Sequence, residues 1–118
     1  MEGMLKRILG DLVKVEGVSA AAICGRDGFV IEHVSNIQMD ADALGAMAST
    51  SVGTSEAMGI ELNKGNFEQV LVELEKGPIM LSLITQNEIL AVIAEPGSNL
   101  GRIRYEVKKN KDRIAAAL

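Results

Sequence analysis

The last third of the chain constrains the fold more than any other segment. Two apolar runs, Pro78 to Thr85 and Ile89 to Glu95, flank a short polar turn, a pattern that predicts a β-hairpin. Because both runs are apolar on both faces, the two strands are expected near the centre of a sheet that is covered, at least in part, on both sides. The segment from Pro96 to Arg102 predicts the start of a basic helix, capped by Asn99 or Ser98. An antiparallel sheet therefore leads into a helix, and neither part carries a catalytic or metal-binding constellation.

Helical and strand patterns alternate along the rest of the chain. Apolar residues recur at helical spacing from about Gly3 to Val15, and a second helix is predicted from Asp40, its N-cap, to about Glu61. The dipeptide Asp27-Gly28 predicts a tight hairpin turn in which both central residues need positive φ. Strand patterns cover three further segments: Val18 to Cys24, Phe29 to Val34 and Phe67 to Glu75.

The predicted element order is α-β-β-α-β-β-β-α. Successive strands are joined by a short turn or by one helix, which predicts a mostly antiparallel sheet of five strands with flanking helices. The fold class is thus α/β of the α+β kind. We expect one domain over residues 1–118, because no linker or internal repeat interrupts the pattern.

Composition excludes several classes of protein. The 118 residues carry a net charge of −4, which argues against nucleic-acid binding because such binding needs an excess of Lys and Arg. The single cysteine excludes an intramolecular disulfide and favours a reducing interior. No apolar run approaches the roughly 18 residues of a membrane helix, and the N-terminus lacks the order of a signal peptide. We therefore expect a cytoplasmic protein without direct membrane insertion.

The residues that can carry chemistry do not form a recognisable set. His33 and Cys24 lie on neighbouring predicted strands, but a surface histidine and a small buried cysteine explain them more simply. One His and one Cys cannot supply the ligands of a zinc site, and the phosphate-loop pattern of a GTPase is absent. An anion site at Gly97–Gly101, beside Arg102 and Arg104, is an alternative to simple helix capping. We expect no enzymatic activity and no cofactor.

The final helix carries half of the 12 basic residues of the chain: Arg102, Arg104, Lys108, Lys109, Lys111 and Arg113. A solvated helix face explains such a run, with cations placed favourably near the C-terminal end of the helix dipole. Docking onto an acidic partner or an anionic lipid is the alternative.

The helix from Asp40 to Glu61 is built from unusually small residues. Its larger apolar residues are predicted to share one face: Leu44, Met47, Ala48, Val52, Met58 and Leu62. Gly45, Gly53 and Gly59 each cost about 1 kcal/mol relative to alanine in a helix interior, so close packing against them is expected. The neighbour is either the chain's own sheet or a second helix across a subunit boundary. A frayed or absent helix is the third alternative.

Six segments in this order resemble a known family. They are Val15 to Val18, Asp27 to Ile31, the small-residue helix around Leu44 to Ala57, Glu68 to Glu75, Ile89 to Ala94 and Asn99 to Arg104. Their order and spacing resemble the roadblock-type domain, the family of dynein roadblock light chains and of bacterial and archaeal regulators of small GTPases. The resemblance extends over essentially the whole chain.

The resemblance implies a dimer. In this family the third strand and the second helix meet their counterparts, which extends the sheet across two subunits; on this chain they are roughly Phe67 to Glu75 and Asp40 to Glu61. The residues expected at the dimer or partner interface are therefore Ala43, Ala46, Met47, Thr50, Gly53, Thr54, Ala57, Gln69, Leu71 and Glu73.

The resemblance also implies a function. Members of the family scaffold or regulate Ras-like GTPases, which bind the dimer surface. In the gliding-motility type the dimer accelerates hydrolysis by reshaping the GTPase and supplies no catalytic side chain of its own. We therefore expect a non-catalytic, homodimeric regulator or scaffold of a small Ras-like GTPase. A structural adaptor that binds other roadblock chains or peptides is the alternative. A small-ligand sensor is a third possibility, which the aromatic content of 3% disfavours.

Overall fold

The structure, a computed structural model, describes residues 2–118. Met1, which the predicted domain includes, lies outside the described residues. The predicted element order α-β-β-α-β-β-β-α is confirmed. The elements are α1 (Glu2–Val13), β1 (Val18–Gly25), β2 (Val30–Ser35), α2 (Ala41–Glu61), β3 (Gln69–Val72), β4 (Ile79–Leu83), β5 (Glu88–Ala94) and α3 (Leu100–Ala117).

The five strands form one antiparallel sheet in the order β2-β1-β5-β4-β3. The central strand is β5, which pairs with β1 on one side and β4 on the other; Ala91, for example, lies opposite both Ala22 and Leu81. The expectation of central strands at the end of the chain is therefore confirmed. Strands β2 and β3 form the two edges of the sheet.

The helices cover the two faces of the sheet unequally. Helices α1 and α3 lie on one face, where Leu9, Ile23, Leu90 and Ile114 are among the most deeply buried side chains. Helix α2 lies alone on the other face, with Val52 packed against Cys24, Ile89 and neighbouring residues. The protein is thus a three-layer arrangement with two helices above the sheet and one below.

Side-chain caps set the starts of the two later helices. The Asp40 Oδ1 atom accepts a hydrogen bond from Ala43 N at 3.0 Å, as predicted. Of the two candidates at α3, Asn99 is the N-cap, because its Oδ1 accepts from Arg102 N at 3.0 Å. The Ser98 hydroxyl instead donates to Glu95 O at 2.7 Å.

The β1–β2 turn differs from the predicted two-residue turn. Gly28 has a φ of 90°, but Asp27 does not have a positive φ, because Asn63 is the only non-glycine residue of the described chain that does. Gly28 N donates to Gly25 O and Gly25 N donates to Phe29 O, so the connection is a three-residue loop with one left-handed residue. The Asp27 carboxylate accepts from Phe29 N at 3.1 Å, which stabilises the turn without positive φ at Asp27.

Strand β3 is shorter than the predicted segment from Phe67 to Glu75. It pairs with β4 only from Gln69 to Val72. Continuation of this register would place Glu73 opposite Pro78, which has no N–H to donate. The proline therefore limits the ladder at that end, and Glu73 follows the strand as an exposed residue.

Of the six apolar residues predicted to share one face of α2, three are buried together and three are not. Leu44, Ala48 and Val52 are buried, as their spacing of four requires. Met47 and Met58 are 62% and 54% exposed, because they lie about 100° and about 80° around the helix from Ala48, the middle of the buried row. Leu62 is 64% exposed, since it is the C-cap beyond the last helical turn.

Two of the three α2 glycines pack closely against the chain itself. A Cβ at Gly45 would lie 2.6 Å from Gly28 O, and a Cβ at Gly59 would lie 2.5 Å from Gly65 O. A Cβ at Gly53 would meet nothing within 4 Å. The close neighbour is therefore the chain's own hairpin at Gly45 and its own loop at Gly59, while Gly53 faces open space.

The contact at Gly45 predicts a specific loss of stability. Gly45→Ala should lower the free energy of unfolding by about 1–2 kcal/mol, because the added methyl group meets backbone and overpacks the site. The matched control is Gly10→Ala in α1, where the added Cβ would meet no other part of the chain within 4 Å and alanine should add up to about 1 kcal/mol of stability. Urea unfolding measures both, and a stabilised Gly45→Ala protein would contradict the close approach of α2 to the hairpin.

Candidate partner interface

The outer side of α2 is a continuous uncharged surface. We define the α2 surface as the seven interface residues predicted on this helix: Ala43, Ala46, Met47, Thr50, Gly53, Thr54 and Ala57. Their spacing of three and four places them on one side of the helix, and all are exposed except the half-buried Ala43. The structure thus brings these seven residues together.

Hydroxyl groups on this surface are satisfied within the helix. Thr50 Oγ1 donates to Ala46 O at 3.0 Å, and Thr54 Oγ1 donates to Thr50 O at 2.9 Å. Ser49 on the flank donates to the same Ala46 carbonyl. Because each hydroxyl proton already has an acceptor, covering the surface with apolar groups leaves no unpaired donor.

The sheet face around α2 is incompletely covered. A helix is about 10 Å across, so α2 covers only a band of this face, although it crosses the sheet in contact with β2, β1, β5 and β3. Half-buried apolar side chains flank the α2 core as a result, among them Val70, Ile79, Leu83 and Ile93. On the two-helix face, by contrast, Met80 and Val92 are 3% and 2% exposed.

The outer edge of β3 is the second feature of this region. No strand of residues 2–118 pairs with that edge, so it presents unpaired N–H and C=O groups of the kind that pair with another chain. Among the three interface residues predicted near β3, Leu71 packs with the two-helix core, Gln69 lines a groove beside α3, and Glu73 follows the strand. The structure does not place them on the α2 surface; they lie along the neighbouring strand edge.

A basic groove runs between α3 and the start of β3. It has a volume of about 440 Å³, and Arg104, Lys108 and Lys111 line it opposite Gln69 and Ser82. We call it the α3 groove. From the sequence, the six cations of α3 were treated as one set. The spacing of these three by four and three residues already places them on one side of the helix.

The other three cations of α3 belong to a different side. Arg102, Lys109 and Arg113 do not line the α3 groove; the Arg113 guanidinium donates to the buried Asn110 Oδ1 at 2.7 Å. Around the start of α3, Glu16 and Glu95 line the same pocket as Arg102. The side chains of Asn99 and Ser98 are already hydrogen-bonded to backbone groups, and the carboxylates of Glu16 and Glu95 lie beside them. The geometry therefore favours helix capping over an anion site.

Arg26 connects α2 to two turns of the sheet, a contact that sequence reasoning missed. Its guanidinium donates to both carboxylate oxygens of Glu56 at 2.6 and 2.5 Å and to the carbonyl of Gln86. The hydrogen bond to Glu56 raises the pKa of Arg26, and the same bond holds the pKa of Glu56 below its ordinary value. This is the one ion pair found among residues 2–118, and because it is partly exposed it contributes about 0–1 kcal/mol.

Cys24 and His33 are not cross-strand partners. Cys24 lies opposite Val30, whereas His33 lies opposite Ala22 and is exposed. Burial raises the pKa of the Cys24 thiol to about 11, so the nucleophilic thiolate is scarce at neutral pH. Among the described residues, no three His, Cys, Asp or Glu side chains are grouped to hold a metal ion.

The chain belongs to the Roadblock/LC7 domain family, whose model matches residues 4–94. It is 35% identical over 113 residues to the uncharacterized protein MJ0310 of Methanocaldococcus jannaschii, covering 96% of this chain and 98% of that protein. A Roadblock/LC7 domain from Streptomyces avermitilis superimposes with a TM-score of 0.88 at 24% identity, covering 95% of each chain. Myxococcus xanthus MglB superimposes with a TM-score of 0.89 at 17% identity, covering 98% of this chain and 87% of MglB. These structural similarities establish a shared fold.

Across residues 2–118, none of the helices combines the length and the apolar character needed to cross a bilayer.

The burial of Cys24 predicts slow thiol chemistry. In the folded protein at pH 8, Ellman's reagent should react with Cys24 about a hundredfold more slowly than in denaturant, because both the raised pKa and burial deplete the accessible thiolate. Absorbance at the thionitrobenzoate band measures the rate. Rapid, stoichiometric reaction without denaturant would contradict the buried position on β1.

Proposed function

We propose that this chain is a non-catalytic, homodimeric regulator or scaffold of a small Ras-like GTPase. The observation that carries the proposal is the combination of the uncharged α2 surface with the unpaired edge of β3. Membership of the Roadblock/LC7 family supports it, and so does the absence of an assembled catalytic group among the described residues. The proposed function is therefore exerted by binding.

In the proposed dimer, β3 pairs antiparallel with β3 of the partner subunit. Pairing at this edge joins two five-stranded sheets into one and satisfies the unpaired backbone groups. It also brings the two copies of α2 onto the same face of the joined sheet. There each helix covers apolar side chains, such as Val70, that one helix alone leaves half-buried.

The small side chains of α2 serve this contact. Helices pack 8–10 Å apart depending on the residues between them, and Ala46, Gly53 and Ala57 allow the shortest separations. Gly53 supports this role because a Cβ added there would meet no other part of its own chain within 4 Å. Its cost to the helix is explained if a second chain packs there.

Docking of the GTPase is proposed on the platform made by the two α2 helices and the joined sheet. Met47 and Met58 are exposed at this platform, and flexible methionine side chains adapt to a partner's surface. In this proposal the protein shifts the conformation of the GTPase or holds it in place, and it supplies no nucleophile or base to the reaction.

We also propose that residues 1–118 form a single cytoplasmic domain that includes α3. The buried residues Ile103, Val107 and Ile114 of α3 belong to the same core as Leu9 and Leu90, which supports a single cooperative unit. The lone thiol of Cys24 is consistent with a reducing compartment.

Charge placed on the α2 surface should break the dimer. Ala46→Arg or Gly53→Arg is expected to raise the dimer dissociation constant about a hundredfold, equivalent to about 2.7 kcal/mol, because an unpaired cation would be buried between the helices. Ala116→Arg on the exposed side of α3 is the matched control and should leave the constant unchanged. Sedimentation velocity measures it; a charged α2 variant that dimerises normally would show that another face is used.

The GTPase proposal has its own test. Addition of the purified protein to candidate Ras-like GTPases should change the rate of nucleotide hydrolysis or exchange, or yield a stable complex in gel filtration. Ala46→Arg should abolish the effect, because it removes the platform, while Ala116→Arg should retain it. A dimer that binds no such GTPase and instead captures other roadblock chains or peptides would favour the adaptor function.

A further inference from the structure

Strand β3 constrains how a second copy can pair with it. Side chains alternate between the two faces of a strand, and Leu71 points to the face of α1 and α3 while Val70 points to the face of α2. In an antiparallel pair, residues directly opposite each other point to the same face. Copies related by a two-fold axis perpendicular to the sheet can therefore place Leu71 only opposite Gln69, Leu71 or Glu73 of the partner subunit.

The groove beside α3 lies at the beginning of this strand. Gln69 lines it together with three cations, Arg104, Lys108 and Lys111. None of these cations forms an ion pair with a described residue of its own chain, although Glu68 also lines the groove. Three cations and one carboxylate, that of Glu68, line the groove. The groove therefore carries local positive charge, although the net charge of the chain is −4.

A carboxylate lies at the opposite end of β3. Glu73 follows the last strand residue, Val72, and is exposed. It stands two positions after Leu71, so continued extended backbone would direct it to the same face as Leu71 and the groove. Antiparallel pairing of two copies brings the end of one strand to the beginning of the other, and thus brings Glu73 of one copy to the groove of the other.

We propose that Glu73 of the partner subunit enters the α3 groove and pairs with Lys108 and its neighbours Arg104 and Lys111. The inference rests on the proposed dimer and adds its register: Leu71 lies opposite the partner's Leu71, which places the partner's Glu73 opposite Gln69. The two-fold symmetry repeats the contact in the second groove. Each groove is therefore completed only by the other chain.

Polarity distinguishes this register from its two neighbours. A shift that placed Gln69 opposite the partner's Leu71 would put an apolar side chain, instead of a carboxylate, beside Gln69 at the mouth of the groove. The opposite shift would put the partner's Glu73 carboxylate directly opposite Leu71, which packs with the two-helix core. The register with Glu73 at the groove pairs opposite charges in both halves of the dimer. The two strands are short, and their length alone would leave the register weakly specified. The ion pairs therefore favour one register.

Charge reversal in trans tests the inference. Homodimers of Glu73→Lys and of Lys108→Glu should each dissociate about fivefold to tenfold more readily at low ionic strength, since two exposed ion pairs are replaced by like charges. The differences should fade near 1 M salt, where the Debye length is about 3 Å. Glu16→Lys and Lys109→Glu, which change exposed residues outside the groove, are the matched controls and should leave the dissociation constant unchanged.

Mixing the two variants gives the decisive result. In the mixed dimer, one groove contains the introduced lysine at position 73 with the introduced glutamate at position 108, and the other contains the original pair. Fluorescence titration should therefore show a mixed dimer about as tight as the unaltered protein and tighter than either variant homodimer.

Two results would overturn the inference and are distinguishable. If the unaltered protein dimerises but the mixture is no tighter than the homodimers, or the controls weaken it equally, the ion pair is wrong and the proposed dimer stands. If the unaltered protein is monomeric at every concentration, the proposed dimer fails and the ion pair fails with it.

Discussion

One packing constraint shapes this protein: a single helix covers one face of a five-stranded sheet. The two-helix face is closed, with Ile23 and Leu90 fully buried, whereas α2 leaves Ile79 and Leu83 half-buried at its sides. Apolar area that stays exposed forfeits about 25 cal/mol per Å² of stabilisation. A second chain that places another α2 and another β3 beside the first recovers that area and closes the strand edge in one contact.

The chemistry of α2 suits it to lie between two packed layers. A helix without charge around most of its circumference is typical of a buried helix, and the threonine hydroxyls of α2 are bonded to its own carbonyls. The Arg26–Glu56 pair fixes α2 against the turns at one end of the sheet. The helix therefore presents a defined surface before any partner binds, which lowers the entropic cost of association.

Much of the fold could be predicted from the sequence because local signals agree with each other. The Asp40 cap, the apolar runs of β4 and β5 and the spacing along α1 each specify their element within a few residues. What could not be predicted depends on distances between segments. Met47 and Met58 were expected on the same face as Leu44 because they are apolar, and only the direction of the buried row shows that they lie on another side of the helix. The roles of Gly45 and Gly53 likewise differ only through what lies beside them.

Part of the candidate interface could be predicted from local signals as well. The seven α2 residues share one surface because helical spacing alone places them there, whereas the position of Gln69 beside Lys108 requires the packing of α3 on the sheet.

The central claim, that a second chain covers the edge of β3, is tested most directly by amide hydrogen exchange across a dilution series. The account predicts that amides of Gln69–Val72 exchange slowly in concentrated protein and faster on dilution, while those of β5 stay protected. Exchange in β3 that is equally fast at every concentration would contradict it.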